Sequence, residues 1–381
     1  MDVVIVGGGI IGCALAESLA TAGCRVTVLE TRTVGSEASG AAAGLLAPQV
    51  EAHGPGPFLD LCLASRALFP ETVARLTRET GIAIDFQPTG LWFLVFTEED
   101  AHEAETRLSW QVQHGLHIQR FTREEILRRE PLIHPSLRWG LFFPDDHQVD
   151  NAQLTRAYAE AARRRGVTIV EGVRVTRLLH DGRQVRGVAA DGGRTWNAPV
   201  VVDAAGSWAQ FDSTLPFTIP VEPGKGQMLL YDTSAQPLFK RTVKSSRVYC
   251  VPRSDGRLLV GTTLEFVGFD RRVTDEATRA IQTAAYALCP RLAEYPLQET
   301  WVNFRPTTPD RLPLLGPTPL AGFYLATGHF RNGILLAPIT AQVLTELIVT
   351  GKSSVALTSF TLDRFRAAQV SSAPQLPASH G

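Results

Sequence analysis

The sequence predicts an α/β protein (α+β overall) in which a parallel sheet is interrupted by a second, mostly antiparallel one. Three observations carry that expectation. The first thirty residues read as a complete strand–turn–helix–strand unit with glycines at the turn. Between residues 150 and 210, apolar runs of strand length follow a helical stretch. From Pro220, strand-like segments succeed one another with only turns between them.

Asp2 to Val6 is apolar after its first residue, as befits a strand buried on both faces of a parallel sheet. Gly7-Gly8-Gly9-Ile10-Ile11-Gly12 follows at once, and Cys13 to Ala22 reads as a helix closed by Gly23. Arg25 to Leu29 is a second strand with Glu30 at its tip. Together these make a Rossmann-like dinucleotide fingerprint, G-x-G-x-x-G with an acid after the second strand. Gly7 permits the tight turn, Gly9 lets a pyrophosphate approach the backbone, and Gly12 lets helix pack closely on strand. The helix N-terminus offers unpaired N–H groups and a partial positive charge to the phosphates. Glu30 suits a ribose and would repel a 2′-phosphate, which disfavours NADP. The motif alone does not separate NAD from FAD. Ser36 to Pro48 (SEASGAAAGLLAP) is small and nearly uncharged, which suits backbone lying against a large flat ligand; a plain linker is the alternative.

Phe58 to Glu79 is spaced as a helix, Leu91 to Phe96 as a strand and Glu98 to Gln113 as a polar helix. Thr122-Arg123-Glu124-Glu125 has capping-box spacing before a short helix. Ala152 to Arg165 is helical behind Asp150 as N-cap, and Arg163-Arg164-Arg165 match the negative end of its dipole better than they match a phosphate. Val167 to Val170, Val173 to Thr176 and Val185 to Ala190 read as strands, and Val200 to Asp203 runs into the small residues Ala204-Ala205-Gly206. Gln227 to Tyr231, Arg247 to Val251 and Leu258 to Thr262 are the antiparallel segments, with Thr274 to Leu288 helical after them. The division this predicts is a nucleotide-binding domain (1–85, 145–220, 305–366), a substrate-binding domain (86–144, 221–304) and a disordered polar tail (367–381).

A chain of 381 residues has room for two or three domains with large cores. Thirty-seven basic against 38 acidic residues leave a net charge of −1, no footprint for nucleic acid or an anionic membrane. Five scattered cysteines without a C-x-x-C pair make neither a disulfide framework nor a zinc site, and they suit a reducing compartment. No apolar run is read as long enough to span a membrane, and Met1-Asp2-Val3-Val4 lacks the basic start of a signal peptide. A cytoplasmic location is the expectation.

Two late segments narrow the reading. Trp301 to Asp310 (WVNFRPTTPD) leads to Leu312-Pro313-Leu314-Leu315-Gly316, and Ala326 to Pro338 reads ATGHFRNGILLAP. With the N-terminal unit and Ser39 to Pro48, they resemble the D-amino-acid oxidase superfamily of FAD enzymes. The string His329 to Pro338 is similar, more narrowly, to the glycine oxidases of thiamine biosynthesis, and Asp145 to Asp150 before a helix fits the same group. The resemblance extends from Asp2 to about Arg366.

It implies FAD bound by Gly7, Gly9, Ile10, Ile11 and Gly12, with Glu30 and Thr31 at the ribose. Ala38, Ser39, Ala43, Gly44 and Leu45 match the stretch that follows the cofactor, and Val175 matches a backbone contact to adenine. His329, Phe330, Arg331, Asn332, Gly333, Ile334 and Leu335 match the segment along the flavin. Gly333 to Thr350 reads as an apolar helix whose N-terminus would face a flavin that becomes negative on reduction. Arg305 matches the family's carboxylate-binding arginine, Tyr249 its substrate-site tyrosine and Arg331 a further active-site arginine; Leu264 is expected on the pocket wall. A planar guanidinium suits that task because two parallel donors match a carboxylate. No cysteine lies between Trp301 and Gly316, where monomeric sarcosine oxidases attach their flavin, so non-covalent FAD is expected. The implied assembly is a homo-oligomer, with a tetramer as one form.

The implied reaction is oxidative deamination of glycine or another small amine or D-amino acid. Arg305 would anchor the carboxylate with Tyr249, and the Cα hydrogen would pass as hydride to flavin N5. Glyoxylate or a 2-oxo acid, ammonia and, from molecular oxygen, hydrogen peroxide would result, with the product feeding thiamine thiazole synthesis. No residue is nominated as acid or base, so rate would come from orientation. Sarcosine, D-alanine and D-proline are further candidate substrates. The rival readings are a D-amino-acid dehydrogenase that reduces a quinone, a sarcosine-oxidase-like enzyme, an NAD-dependent dehydrogenase, and an FAD-bearing assembly protein without turnover.

Overall fold

A computed structural model describes residues 1–365; the tail expected to be disordered, 367–381, lies outside the described residues. Strand Asp2–Val6 sits inside a six-stranded sheet ordered Leu314–Pro317, Phe323–Thr327, Val200–Asp203, Asp2–Val6, Arg25–Leu29, Thr168–Val170. Every neighbouring pair is parallel except the outermost, Leu314–Pro317 against Phe323–Thr327. The unbroken apolar run at the N-terminus now has its reason. Val3 and Ile5 face the helices Ile10–Thr21, Asn151–Arg164 and Gly333–Thr350, whereas Val4 and Val6 face a small antiparallel sheet on the other side.

That small sheet corrects one expectation. The strand read at Val173 to Thr176 starts at Val175 and continues to His180, and it pairs with Val185–Ala190, which in turn pairs with Thr195–Asn197, outside the parallel sheet. Its Val175, Leu178 and Val188 cover the second face of the parallel strands, which needs an apolar partner as much as the first. A second correction concerns length. Helix Gly333–Thr350 has eighteen residues and is apolar enough to cross a membrane, a run that the sequence reading discounted. Here it is a core helix, wedged against Ile10–Thr21 and Pro57–Thr80.

The second large sheet has eight strands, ordered Leu297–Thr307, Glu222–Asp232, Arg257–Gly261, Tyr249–Pro252, Thr242–Lys244, Leu91–Val95, Trp139–Phe143, Gln119–Thr122. All neighbours are antiparallel except Thr242–Lys244 beside Leu91–Val95. Helix Asp275–Leu288 covers one face through Ile281, Ala285 and Leu288. The other face is covered in part by Glu98–Gln113 through Ala104. A three-stranded sheet of Leu45–Leu46, His147–Val149 and Phe86–Gln87 lies between the two large ones in sequence and in contact.

Local signals read from the sequence recur at the helix ends. Thr122 and Glu125 form their reciprocal cap, with Glu125 Oε2 accepting the Thr122 N–H at 2.8 Å. Asp150 accepts the Gln153 N–H at 2.9 Å. Of the arginines closing Asn151–Arg164, Arg165 pairs with Glu79 of Pro57–Thr80 at 2.8 Å and with Glu17 of Ile10–Thr21 at 3.2 Å.

Candidate active site

A cavity of about 850 Å³ opens where the carboxyl ends of the parallel strands meet the eight-stranded sheet. Its nucleotide end is built by the glycine turn. Gly7 has φ +109°, and a Cβ on it would stand 2.4 Å from the Ala204 carbonyl. A Cβ on Gly12 would stand 2.0 Å from the Gly7 carbonyl, so only glycine allows the helix to start this close to the strand. Helix Ile10–Thr21 begins behind Gly9 without a side-chain cap. Ser39 Oγ accepts the Ile10 N–H at 2.9 Å and ties the alanine-glycine stretch to this turn. Glu30 accepts the Gly8 and Arg32 N–H groups at 2.7 and 2.8 Å, which fixes its carboxylate at the strand tip. With the Ile10 N–H on Ser39 and the Gly8 N–H on Glu30, the rest of the turn and helix start is the kind of backbone donor set a pyrophosphate uses.

The opposite wall comes from the eight-stranded sheet. Arg305 stands near the end of Leu297–Thr307 and donates to the Thr263 carbonyl at 3.1 Å and to Thr262 Oγ1 at 2.8 Å. Burial pulls its guanidinium below the usual value, although arginine remains a cation. Tyr249 lies beside it; burial raises the phenol, outweighing the nearby Arg305, so the hydroxyl keeps its proton. Its Oη donates to Met228 Sδ at 3.2 Å.

The segment after Gly328 supplies a third side. His329 is buried, bonded through Nε2 to Thr340 Oγ1 at 3.1 Å, and pulled down to about 3 by burial, so it is a neutral imidazole. Phe330 adopts φ +49°, with its N–H on the Pro306 carbonyl at 2.9 Å. Arg331 lies over the Phe330 ring and 3.4 Å from Glu51 Oε2.

Most residues singled out from the sequence meet at this one cavity. Gly7, Gly9, Ile10, Ile11, Glu30, Thr31 and Val175 line its nucleotide end, and Ala38, Ser39, Ala43, Gly44 and Leu45 border it along the alanine-glycine stretch. Tyr249, Arg305, and the run from His329 to Ile334 complete the wall. Three stand outside it. Gly12 is behind the turn, at the helix–strand contact. Leu335 is turned into the helical core, with its carbonyl accepting Ser65 Oγ–H at 2.6 Å. Leu264 does not line the pocket: its side chain lies over Gly224, in the space that a side chain there would take.

The sequence reading missed Glu51. It lines the cavity with Arg331 on one oxygen and Lys244 Nζ 4.0 Å from the other. Burial alone would raise its carboxyl, but Lys244, Arg331 and Arg107 outweigh burial and hold it below the ordinary range. A signal was present, since Glu51 is the first charged residue after thirteen uncharged ones, Ala38 to Val50.

The fold and the cavity define a dinucleotide-binding protein with an arginine-bearing compartment beside the nucleotide turn. The chain belongs to the DAO family of FAD-dependent oxidoreductases, whose sequence profile matches residues 2–347. The dinucleotide is therefore FAD, a choice the glycine motif had left open. The chain is similar to the bifunctional protein ThiO/ThiG of Synechocystis sp., 40% identical over 370 residues, covering 96% of this chain and 54% of that protein. It thus spans about half the length of the bifunctional curated relatives it matches. It is also similar to the glycine oxidase of Geobacillus kaustophilus, 36% identical over 367 residues, with 95% of this chain and 97% of that one covered. The crystal structure of glycine oxidase from that organism superposes with a TM-score of 0.91 at 35% identity, covering 95% and 98% of the two chains.

Proposed function

We propose that the chain is an amino-acid oxidase of the glycine oxidase type, acting on glycine or another small amine or D-amino acid. The observation that carries this reading is one cavity holding the nucleotide turn at one end and Arg305 with Tyr249 at the other. Bound FAD would supply the acceptor for the substrate Cα hydrogen and a route for its electrons to oxygen, with hydrogen peroxide as product. The turn from Gly7 to Ile11 would hold the pyrophosphate, and the run His329 to Ile334 would flank the flavin. Arg305 would hold the substrate carboxylate, and the protonated Tyr249 would donate to the same group.

Neither titratable candidate in the cavity suits a general base at neutral pH. His329 is pulled down to about 3, and Glu51 is held ionised by cations. The reading therefore assigns the rate to orientation between anchor and cofactor. Among the described residues no cysteine lines the cavity, which supports non-covalent FAD. The eight-stranded sheet would form the substrate-binding domain, from 86–144 and 221–304, with the remainder up to 366 as the FAD-binding domain. A cytoplasmic homo-oligomer whose product feeds thiazole synthesis completes the proposal.

Oxygen consumption with coupled peroxide detection, across glycine, sarcosine, D-alanine and D-proline, tests it. Turnover of glycine with stoichiometric peroxide is expected. Turnover only with a quinone acceptor would replace the oxidase by a dehydrogenase. A flavin that no small amine bleaches under anaerobic conditions would leave only an assembly protein.

A further inference from the structure

Residues 262–274 connect strand Arg257–Gly261 to helix Asp275–Leu288, and most of them have no part in the proposed chemistry. Both ends of this segment are tied down. Thr262 Oγ1 donates to the Gln227 carbonyl at 2.9 Å, and Lys225 and Glu265 exchange two backbone hydrogen bonds at 2.9 Å. At the far end, the Gln227 side chain accepts the Thr274 N–H and donates to the Thr274 carbonyl, both at 3.0 Å. Between those anchors the chain reaches across to the wall of the cavity near the glycine turn.

There Phe269 stacks on Trp208, with ring centroids 5.0 Å apart and planes 21° apart, and meets Phe304 edge-on at 5.2 Å. The Arg271 guanidinium lies over the Phe304 and Trp208 rings at 5.2 and 5.8 Å. Its Nη2 donates to both carboxylate oxygens of Glu37, at 2.6 and 2.8 Å. Asp270, one residue back, lies 3.6 Å from the buried ammonium of Lys225. Glu37 directly precedes Ala38 and Ser39, and Ser39 binds the Ile10 N–H at the nucleotide turn. Arg271, Glu37, Phe269 and Trp208 all line the cavity. Two parts of the chain 234 positions apart are therefore clasped together beside the turn that faces the phosphates.

We propose that Arg271 and Glu37 form a clasp that retains FAD. A solitary surface ion pair contributes little, because water competes for both partners. This one has its cation over two aromatic rings, and its carboxylate also faces Arg32 at 3.4 Å. The clasp joins the eight-stranded sheet to the loop along the nucleotide, so leaving the cavity requires that loop and segment to part. Its effect falls on the rate at which FAD dissociates. Arg271 and Arg32 also give this wall the charge that a pyrophosphate would favour.

Release of FAD from the holoenzyme, followed by the rise in flavin fluorescence after dilution, tests the clasp in R271A, E37Q and the double variant. R271A is expected to release FAD about threefold to tenfold faster than the wild type, the range a partly exposed pair with two hydrogen bonds supports. Added salt should speed wild-type release more than R271A release, since in R271A the pair it screens is already gone. The double variant should release FAD no faster than R271A alone, as expected of residues that act through one contact. Wild-type release in R271A would overturn the clasp, and so would multiplying effects in the double variant. If R271A does not fold, E37Q against wild type carries the same release and salt measurements.

Discussion

Gly226 lies in strand Glu222–Asp232 directly against the Arg305 guanidinium, and a single methyl group there tests whether that guanidinium is the anchor. A Cβ on Gly226 would stand 2.2 Å from Arg305 Nη1 and 2.6 Å from both Cζ and Nη2. The obstacle is the far end of a flexible side chain, not backbone, so alanine folds in and the arginine gives way. Restoring ordinary contact requires the guanidinium to retreat by about 1 Å, a displacement that costs roughly 10²-fold in a positioned reaction. It also breaks the bonds to the Thr263 carbonyl and Thr262 Oγ1. Gly226→Ala should therefore lower kcat/KM for glycine by about two orders of magnitude, or about 2.7 kcal/mol of transition-state stabilisation. Flavin absorbance should be retained, because Gly226 lies at the anchor end of the cavity. Oxygen-consumption kinetics measure the loss, and the same substitution in an Arg305→Ala background should add nothing further. Wild-type kcat/KM in Gly226→Ala, or a second full loss in the Arg305→Ala background, would refute the assignment.

Three further expectations concern buried charge. Glu51 has a lowered folded value, so its contribution to stability is present above the unfolded carboxylate range and is lost as pH falls through the folded one. Glu51→Gln removes it at neutral pH and leaves buried Lys244 short of its counter-charge, destabilising by roughly 3 kcal/mol; an unchanged urea midpoint would contradict this. His329 is pulled from 6.5 to about 3, so below 6.5 the unfolded state takes a proton that the fold refuses, and stability falls with acid. The stability difference between wild type and His329→Gln should shift against the wild type by about 1.5 kcal/mol between pH 6.5 and 5, measured by chemical unfolding. Asp203 runs the other way: burial pushes its carboxyl up to about 8, with only the Ala205 N–H at 2.9 Å opposing. The fold then holds a proton that the unfolded chain releases, so this stability is lost as pH rises from 3.8 towards 8. Asp203→Asn should gain on the wild type by about 1 kcal/mol per pH unit between pH 5 and 7, and a flat difference would contradict it.

Much of the fold was legible because its signals are local. The glycine at position 12 answers to the Gly7 carbonyl in the same turn, and Thr122 and Asp150 cap the helices that directly follow them. Sheet membership was harder. Val175–His180 has the composition of a parallel strand, and only the need to cover Val4 and Val6 places it in another sheet. The site divides in the same way. The nucleotide turn and the run from His329 to Ile334 are contiguous motifs, so they could be read directly. Glu51 depends on Lys244 and Arg331, which no spacing in the sequence brings near it. Leu264 was misplaced because only its packing over Gly224, forty positions away, turns it from the cavity.

The Phe330 N–H on the Pro306 carbonyl has a consequence beyond local geometry. Pro306 is the residue next to Arg305, and Phe330 begins the turn that leads into helix Gly333–Thr350. The Arg305 backbone and the helix start are thus mounted on a common support. Such a support works as a caliper. With Arg305 as the proposed carboxylate anchor, it would gauge the reach from that anion to whatever lies at the other jaw, so an extra methylene between carboxylate and reacting carbon would be refused by span alone. Discrimination by length then needs no selective side chain, only a strand end and a loop that keep their distance.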